Sequence, residues 1–183
     1  MAHSSSDKII LLKVAKDSLL HGLSHGCPLL PDFSKYSLPL QQVQASFVTL
    51  MQNQKLRGCI GTIEPTHPLV VDVAYNAYAA GFQDPRFPKL RTSEIPEISI
   101  SILSRCEPIP FTSEEDLLHK IRPGIDGLVL KDGNCRGTFL PAVWEDCPVP
   151  EDFLKHLKLK AGLSMDYWST TLKVDRFTTE SIP

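Results

Sequence analysis

The sequence predicts an α+β fold, a mainly antiparallel sheet with packed helices, and three observations carry that prediction. Paired apolar runs flank short polar turns at 52–54 and 132–134, as antiparallel hairpins require. Helical periodicities stand between the hairpins without regular strand–helix alternation, which argues against a doubly wound parallel sheet. Finally, Ile98, Ile100 and Ile102 alternate with Ser99 and Ser101 across Glu97–Leu103, so one face of that strand is buried and the other polar.

The elements follow in order. Residues 6–22 read as a helix, with Ser6 as its cap, Leu11, Leu12, Ala15 and Leu19 on one face, and Gly22 at its end. Residues 24–41, with Pro28, Pro31 and Pro39, read as loop. Strands near 44–51 and 55–63 form the first hairpin across Gln52-Asn53-Gln54. Thr66-His67-Pro68 opens a helix of about fourteen residues, whose apolar stripe is Leu69, Val70, Val73, Ala74 and Ala77 and whose end is Gly81. Asp84-Pro85-Arg86-Phe87-Pro88 is a stiff loop, and Ser93-Glu94 starts a turn before the strand 97–103. Thr112-Ser113-Glu114-Glu115 has the form of a capping box for a helix ending near Ile121, stopped by Pro123 and Gly124. Leu128–Leu130 and Thr138–Leu140 make the second hairpin across Asp132-Gly133-Asn134. Pro150–Ala161 is a helix with Phe153, Leu154 and Leu157 inward, and Thr171–Phe177 a last strand.

Several functions are disfavoured by composition. A net charge of -2 and 22% charged residues give no basic excess, so nucleic-acid binding is the weakest reading. No run of eighteen apolar residues suggests a membrane span, and the N-terminal Met1–Asp7 lacks the pattern of a secretory signal. Cys27, Cys59, Cys106, Cys135 and Cys147 are odd in number and widely spaced, with no Cys-x-x-Cys pair. Disulfides and a zinc site of usual spacing are therefore not expected, and reduced thiols point to a cytoplasmic protein. No nucleotide, flavin or iron–sulfur signature is present, so no cofactor is expected.

The segment Leu56-Arg57-Gly58-Cys59-Ile60-Gly61 carries the chemistry. On a regular strand Leu56, Gly58 and Ile60 share one face, with Leu56 and Ile60 turned to the core. Arg57 and Cys59 then share the other face, where a guanidinium favours the thiolate. Cys59 is the candidate nucleophile, although a buried cysteine often serves only as a small hydrophobe. Gly58 and Gly61 weaken a strand and need a reason, either a close ligand or another backbone segment. Arg57 and Arg86 are candidate anion contacts. Arg86 can equally pair with Asp84, and Glu64 can pair with Arg57 or orient His67. His67, eight residues after Cys59, is a weaker candidate base. Asp126-Gly127, Lys155, Lys158, Lys160, His156, Tyr167 and Trp168 read as turn, surface and packing residues.

The hexapeptide resembles the hallmark motif of the AMMECR domain family. The similarity continues through Asp84-Pro85-Arg86-Phe87-Pro88, the strand Glu97–Ser104, Gly124-Ile125-Asp126-Gly127-Leu128 and Gly137-Thr138-Phe139-Leu140-Pro141. It ends with Lys160-Ala161-Gly162-Leu163 and Tyr167-Trp168, covering roughly residues 8–180 of a single domain, 1–183. The chain is similar to the short microbial form in the AmmeMemoRadiSam system. The resemblance implies two lobes flanking a cleft near the hallmark segment, and an association with a Memo-like protein and a radical-SAM protein. It implies no reaction. Two functions stand out: an Arg/Cys cleft that binds or transforms a small anionic ligand alongside those partners, or a non-catalytic interaction module for them.

Overall fold

The computed structural model describes residues 3–94 and 96–183. In chain order the elements are α1 (Ser5–His25), a 3-10 turn (Phe33–Lys35), α2 (Leu38–Gln41), β1 (Ser46–Gln52), β2 (Lys55–Gly61), α3 (Leu69–Phe82), β3 (Glu97–Leu103) and β4 (Glu107–Pro108). They continue with α4 (Glu114–Lys120), β5 (Gly127–Asp132), β6 (Cys135–Phe139), a 3-10 turn (Pro141–Glu145), α5 (Pro150–Lys160), β7 (Lys173–Phe177) and β8 (Thr179–Ile182). The chain divides into two compact units, Met1–Leu103 with Glu180–Pro183, and Ser104–Thr179. Each is built around a four-stranded sheet, ordered β2-β1-β3-β8 in the first and β4-β7-β5-β6 in the second. The expected α+β class with mainly antiparallel pairing holds in both. No helix among the described residues is long and apolar enough to cross a membrane.

In the first unit, the cap of α1 lies two residues earlier than expected. Ser4, not Ser6, is the cap: its side chain accepts from the Asp7 amide and the Asp7 carboxylate accepts from the Ser4 amide. The helix also runs past Gly22, which lies buried beneath the rings of Tyr78 and Phe82 where a Cβ would not fit. Likewise Gly81 does not end α3 but packs against Leu19 inside it. The β1–β2 turn forms as expected, with Asn53 and Gln54 both at positive φ, the twist a two-residue hairpin needs.

The core of this unit joins α1, α3 and one face of the sheet. Leu69, Val70, Val73, Ala74 and Ala77 of α3, the expected stripe, meet Leu11, Ala15 and Leu19 of α1 and Val48, Leu50, Ile100 and Ile102 of the sheet. Burying each of these larger aliphatic side chains contributes about 1.5–3 kcal/mol. Sequence periodicity finds such a face because the same stripe recurs every helical turn.

The second unit packs α4 and α5 on its own sheet around Leu117, Leu128, Leu130, Trp144, Phe153, Leu154 and Leu157. Ser113 caps α4 through the Asp116 amide, so Asp116 takes the place in the cap that the sequence suggests for Glu115. A cavity of about 350 Å³ lies between Pro108–Thr112 and Trp168–Asp175, and none of the residues singled out in the hallmark segment lines it.

Candidate functional site

The geometry of the hallmark segment starts with an irregularity. Leu50 pairs with Gly58 while Met51 pairs with Leu56, so Arg57 is an extra residue, a β-bulge, with no partner in β1. A bulge shifts the alternation by one. Val48 and Leu50 face the core, which puts Thr49 and Met51 on the other face, and Leu56 opposite Met51 goes with them. Leu56 is accordingly 40% exposed rather than inward. Ile60, opposite Val48, does pack against the core.

The two glycines answer to packing within the unit. A Cβ on Gly58 would stand 2.1 Å from the carbonyl oxygen of Ala80, so β2 lies directly against the backbone of α3. A Cβ on Gly61 would strike the ring of Phe47, its cross-strand neighbour. The close approach that these glycines allow is to another part of the chain in both cases.

Arg57 reaches Glu94 through two hydrogen bonds, Nε to Oε1 at 2.6 Å and Nη2 to Oε2 at 3.0 Å. Its side chain is only 11% exposed, and its Nη1 is buried without a hydrogen-bond partner among the described residues. Hydrogen bonding from this guanidinium, partly opposed by burial, lowers the Glu94 carboxyl's pKa. Glu94, not Glu64, is thus the carboxylate that holds Arg57; Glu64 lies exposed three residues past the end of β2.

Cys59 sits opposite Thr49, with its sulfur 3.2 Å from Thr49 Oγ1. β2 is an edge strand, and an edge leaves backbone groups without a ladder partner. The stiff loop supplies them. The Asp84 carboxylate accepts from the Cys59 amide at 2.9 Å, and Arg86 Nη2 donates to the Cys59 carbonyl at 3.2 Å. Two side chains thereby imitate the missing strand. The same Asp84 accepts from Arg86 through its amide, Nε and Nη2. The loop is held in this shape by a turn, Phe87 N–H to Asp84 carbonyl at 3.2 Å, with Pro85 at the position that favours its φ. The guanidinium beside Cys59 is therefore that of Arg86. Arg86 is 55% exposed at its side chain, whereas Asp84 is 2% exposed. Hydrogen bonding to Asp84 raises the Arg86 pKa, and the nearby Cys59 charge adds a smaller pull in the same direction.

Asp84 is the electrostatic anchor. The Arg86 hydrogen bond, opposed by burial and helped by the Cys59 amide, holds its carboxyl far below the usual carboxylate range. A depressed carboxyl contributes stability that is present above its unfolded pKa and is lost as pH falls toward its folded value. Stability should therefore begin to fall below about pH 4, and this acid limb should flatten in Asp84→Asn, measured by urea unfolding between pH 3 and 7.

His67 lies exposed ahead of α3, with Nδ1 2.9 Å from Thr66 Oγ1 and its ring 5.5 Å from that of Tyr75. The polar contacts of Cys59 are instead with Thr49, Asp84 and Arg86. Among the described residues the two candidates share no hydrogen-bond partner.

Sequence reasoning missed a second cluster, beneath the sheet. Asp72, 2% exposed, accepts at Oδ2 from the Ser46 amide (2.8 Å), Ser46 Oγ (2.6 Å) and Asn76 Nδ2 (2.9 Å). Its Oδ1 accepts from Thr62 Oγ1 at 2.8 Å. The carboxylate thus joins the start of β1, the chain just after β2 and two turns of α3. Burial pushes the Asp72 pKa up, against the hydrogen bonds of Ser46 and Thr62. A signal was present in the sequence: Asp72 and Asn76 are the acidic and amide residues, four apart, in an otherwise apolar and aromatic helix.

Comparison with known proteins assigns the chain. A family model described as AMMECR1 matches residues 12–182. A protein of Methanothermobacter thermautotrophicus is 35% identical over 181 residues, spanning 93% of this chain and 90% of its own. One from Thermofilum pendens is 36% identical over 161 residues, spanning 84% and 74%. The crystal structure of an uncharacterized protein from Pyrococcus horikoshii superposes with a TM-score of 0.85 at 32% identity, covering 93% of this chain and 88% of that one. The chain belongs to the AMMECR1 family.

Proposed function

We propose that this AMMECR1-family protein binds a small anionic ligand at the exposed side of β2, with Arg86 as the charge contact and Cys59 as the thiol that meets the ligand. The observation that carries this reading is the placement of Arg86. Its Nε and Nη2 are spent on Asp84 and the Cys59 carbonyl, which fixes the guanidinium while leaving more than half of the side chain exposed. A pre-positioned guanidinium loses little entropy when an anion binds. Thr49 Oγ1 stands beside the sulfur as a hydroxyl that can hydrogen-bond either the thiol or a ligand oxygen.

Arg57 has a different task in this reading. Glu94 neutralises it, so it supports the strand from behind. Cys59 serves as a binding contact first. A role as nucleophile needs a proton acceptor, and the groups in polar contact with the residue are a hydroxyl, a carboxylate held ionised by arginine, and that arginine. The test is protection of Cys59 from alkylation by inorganic pyrophosphate, in the native protein and in Arg86→Gln. Protection that depends on Arg86 supports the site.

A further inference from the structure

The cavity of about 350 Å³ in the second unit plays no part in the reading above. It opens where two strands part. β4 pairs with β7 through Glu107 opposite Arg176 and Pro108 opposite Asp175, and the Ile109 amide then donates to the Val174 carbonyl at 2.9 Å. Hydrogen-bonded pairs in an antiparallel ladder recur every second residue, so the next would join Phe111 to Leu172. Among the described residues no backbone hydrogen bond joins these two, and the Leu172 amide turns back to the Ser169 carbonyl (3.3 Å). Phe111 and Leu172 both line the cavity that separates the two segments.

Its lining is stiff and aromatic on one count and charged on another. Pro108 and Pro110 fix the backbone of one segment. Trp168, in the other, is held by the Phe111 ring, 5.6 Å away between centroids and tilted by 57°. The fully buried Lys158 places its ammonium 5.8 Å from the Trp168 ring centroid and is itself bonded to Glu114 at 2.7 Å. Both rings are only half-buried, so ring surface is left at the cavity. Lys173 also lines it and stands directly opposite Lys131 across β7 and β5, a like-charged pair that costs stability. Asp175 lies on the same face of β7 as Lys173, two residues on, and its carboxylate is engaged by Lys131 at 3.3 Å. Among the described residues Lys173 makes no ion pair.

We propose that this cavity binds a small planar organic anion, a single aromatic or heteroaromatic ring bearing a carboxylate. The ring lies against Trp168 and Phe111, and the carboxylate meets the Lys173 ammonium. The volume is at the lower end of ligand cavities, which suits one ring and not a larger cofactor. The aromatic walls supply stacking surface. They are held in place before the ligand arrives, so little entropy is lost on binding. The anion balances the second ammonium of the Lys131–Lys173 pair, which the protein's own carboxylate at Asp175 leaves unmatched.

Fluorine NMR titration of the full chain with para-fluorobenzoate tests the site, with para-fluorobenzamide as the uncharged counterpart. The expected result is saturable binding of the benzoate, with the benzamide weaker by roughly 5-fold or more. Lys173→Gln should weaken the benzoate by a similar factor and leave the benzamide unchanged, while Trp168→Leu should weaken both by roughly 5-fold. Arg86→Gln should leave the binding intact, which separates this site from the one on β2. Absence of saturable binding, equal affinity for acid and amide, or benzoate affinity unchanged in Lys173→Gln overturns the proposal. Lys173 is exposed, so its variant decides the matter even if Trp168→Leu fails to fold, and unchanged far-ultraviolet circular dichroism confirms that it is folded.

Discussion

Replacing Gly58 with alanine should cost the first unit about 3 kcal/mol or more, at the upper end of what overpacking a core does. The reason is the identity of the obstructing atom. The new methyl would meet the Ala80 carbonyl oxygen at 2.1 Å and its carbon at 3.0 Å. Those atoms belong to the last turns of α3, where Ala77 and Ala80 are almost fully buried. Relief requires the whole helix to move away from the sheet, and close-packed interiors resist that. Gly61→Ala is the informative comparison. There the obstruction is a side chain, nearest at Phe47 Cγ, 2.2 Å away, which clears only if the half-buried Phe47 changes its χ1 rotamer, so a loss of about 1–2 kcal/mol, below that at Gly58, is expected. Urea unfolding of both variants measures the difference. Equal losses would mean that β2 is not seated on the α3 backbone.

Asp72→Ala should destabilise the same unit by about 3 kcal/mol, through a different mechanism. The substitution leaves the Ser46 amide and Asn76 Nδ2, both buried, without the acceptor that they now share. Each unsatisfied buried donor costs about 1–3 kcal/mol, although Asn76 keeps its bond to the Ser46 carbonyl. Asp72→Asn should lose less, because its amide oxygen still accepts while its NH2 faces donors in place of an acceptor. The pH dependence has the opposite sign from that of Asp84. A carboxyl whose folded pKa is raised withdraws stability as pH rises from its unfolded value, about 3.9, toward its folded one. Unfolding free energies of both variants across pH 3–7 check the magnitude and the sign together.

The contrast between these two positions shows what was legible in the sequence. Wherever a pattern repeats locally, the reading was sound: the stripe from Leu69 to Ala77, the alternation of Ile98, Ile100 and Ile102, and the two hairpins. Errors arose where a distant residue overrides a local rule. Gly22 looks like a helix stop, yet the rings of Tyr78 and Phe82, more than fifty residues away, make it an interior packing position. β4 and β8, of two and four residues, exist through pairing with remote strands and have no periodicity of their own. The bulge at Arg57 cannot be read from alternation, because alternation presumes that it is absent. It turned Leu56 outward.

The site was half legible for the same reason. The motif drew attention to Cys59, Arg57 and both glycines, and the stiffness of Asp84–Pro88 to Arg86. The pairings between them were not visible, since Arg57 finds Glu94 across 37 positions and Cys59 finds Asp84 across 25. Strand alternation put the Arg57 guanidinium beside the thiol, but Arg57 pairs with Glu94, and it is Arg86 that donates to the Cys59 carbonyl. Asp72 and Asn76 went unnoticed because attention to the apolar stripe hides the polar residues beside it.

The central claim, an anion site at Cys59 that depends on Arg86, is most directly tested by site-resolved alkylation of the five cysteines. Exposed Cys27 and Cys106 serve as internal references. The account predicts that Cys59 is modified in the native protein and that saturating pyrophosphate slows its modification at least several-fold. The references should keep their rates, and Arg86→Gln should remove the protection. Modification of Cys59 only after unfolding in urea, or protection that persists in Arg86→Gln, would contradict it.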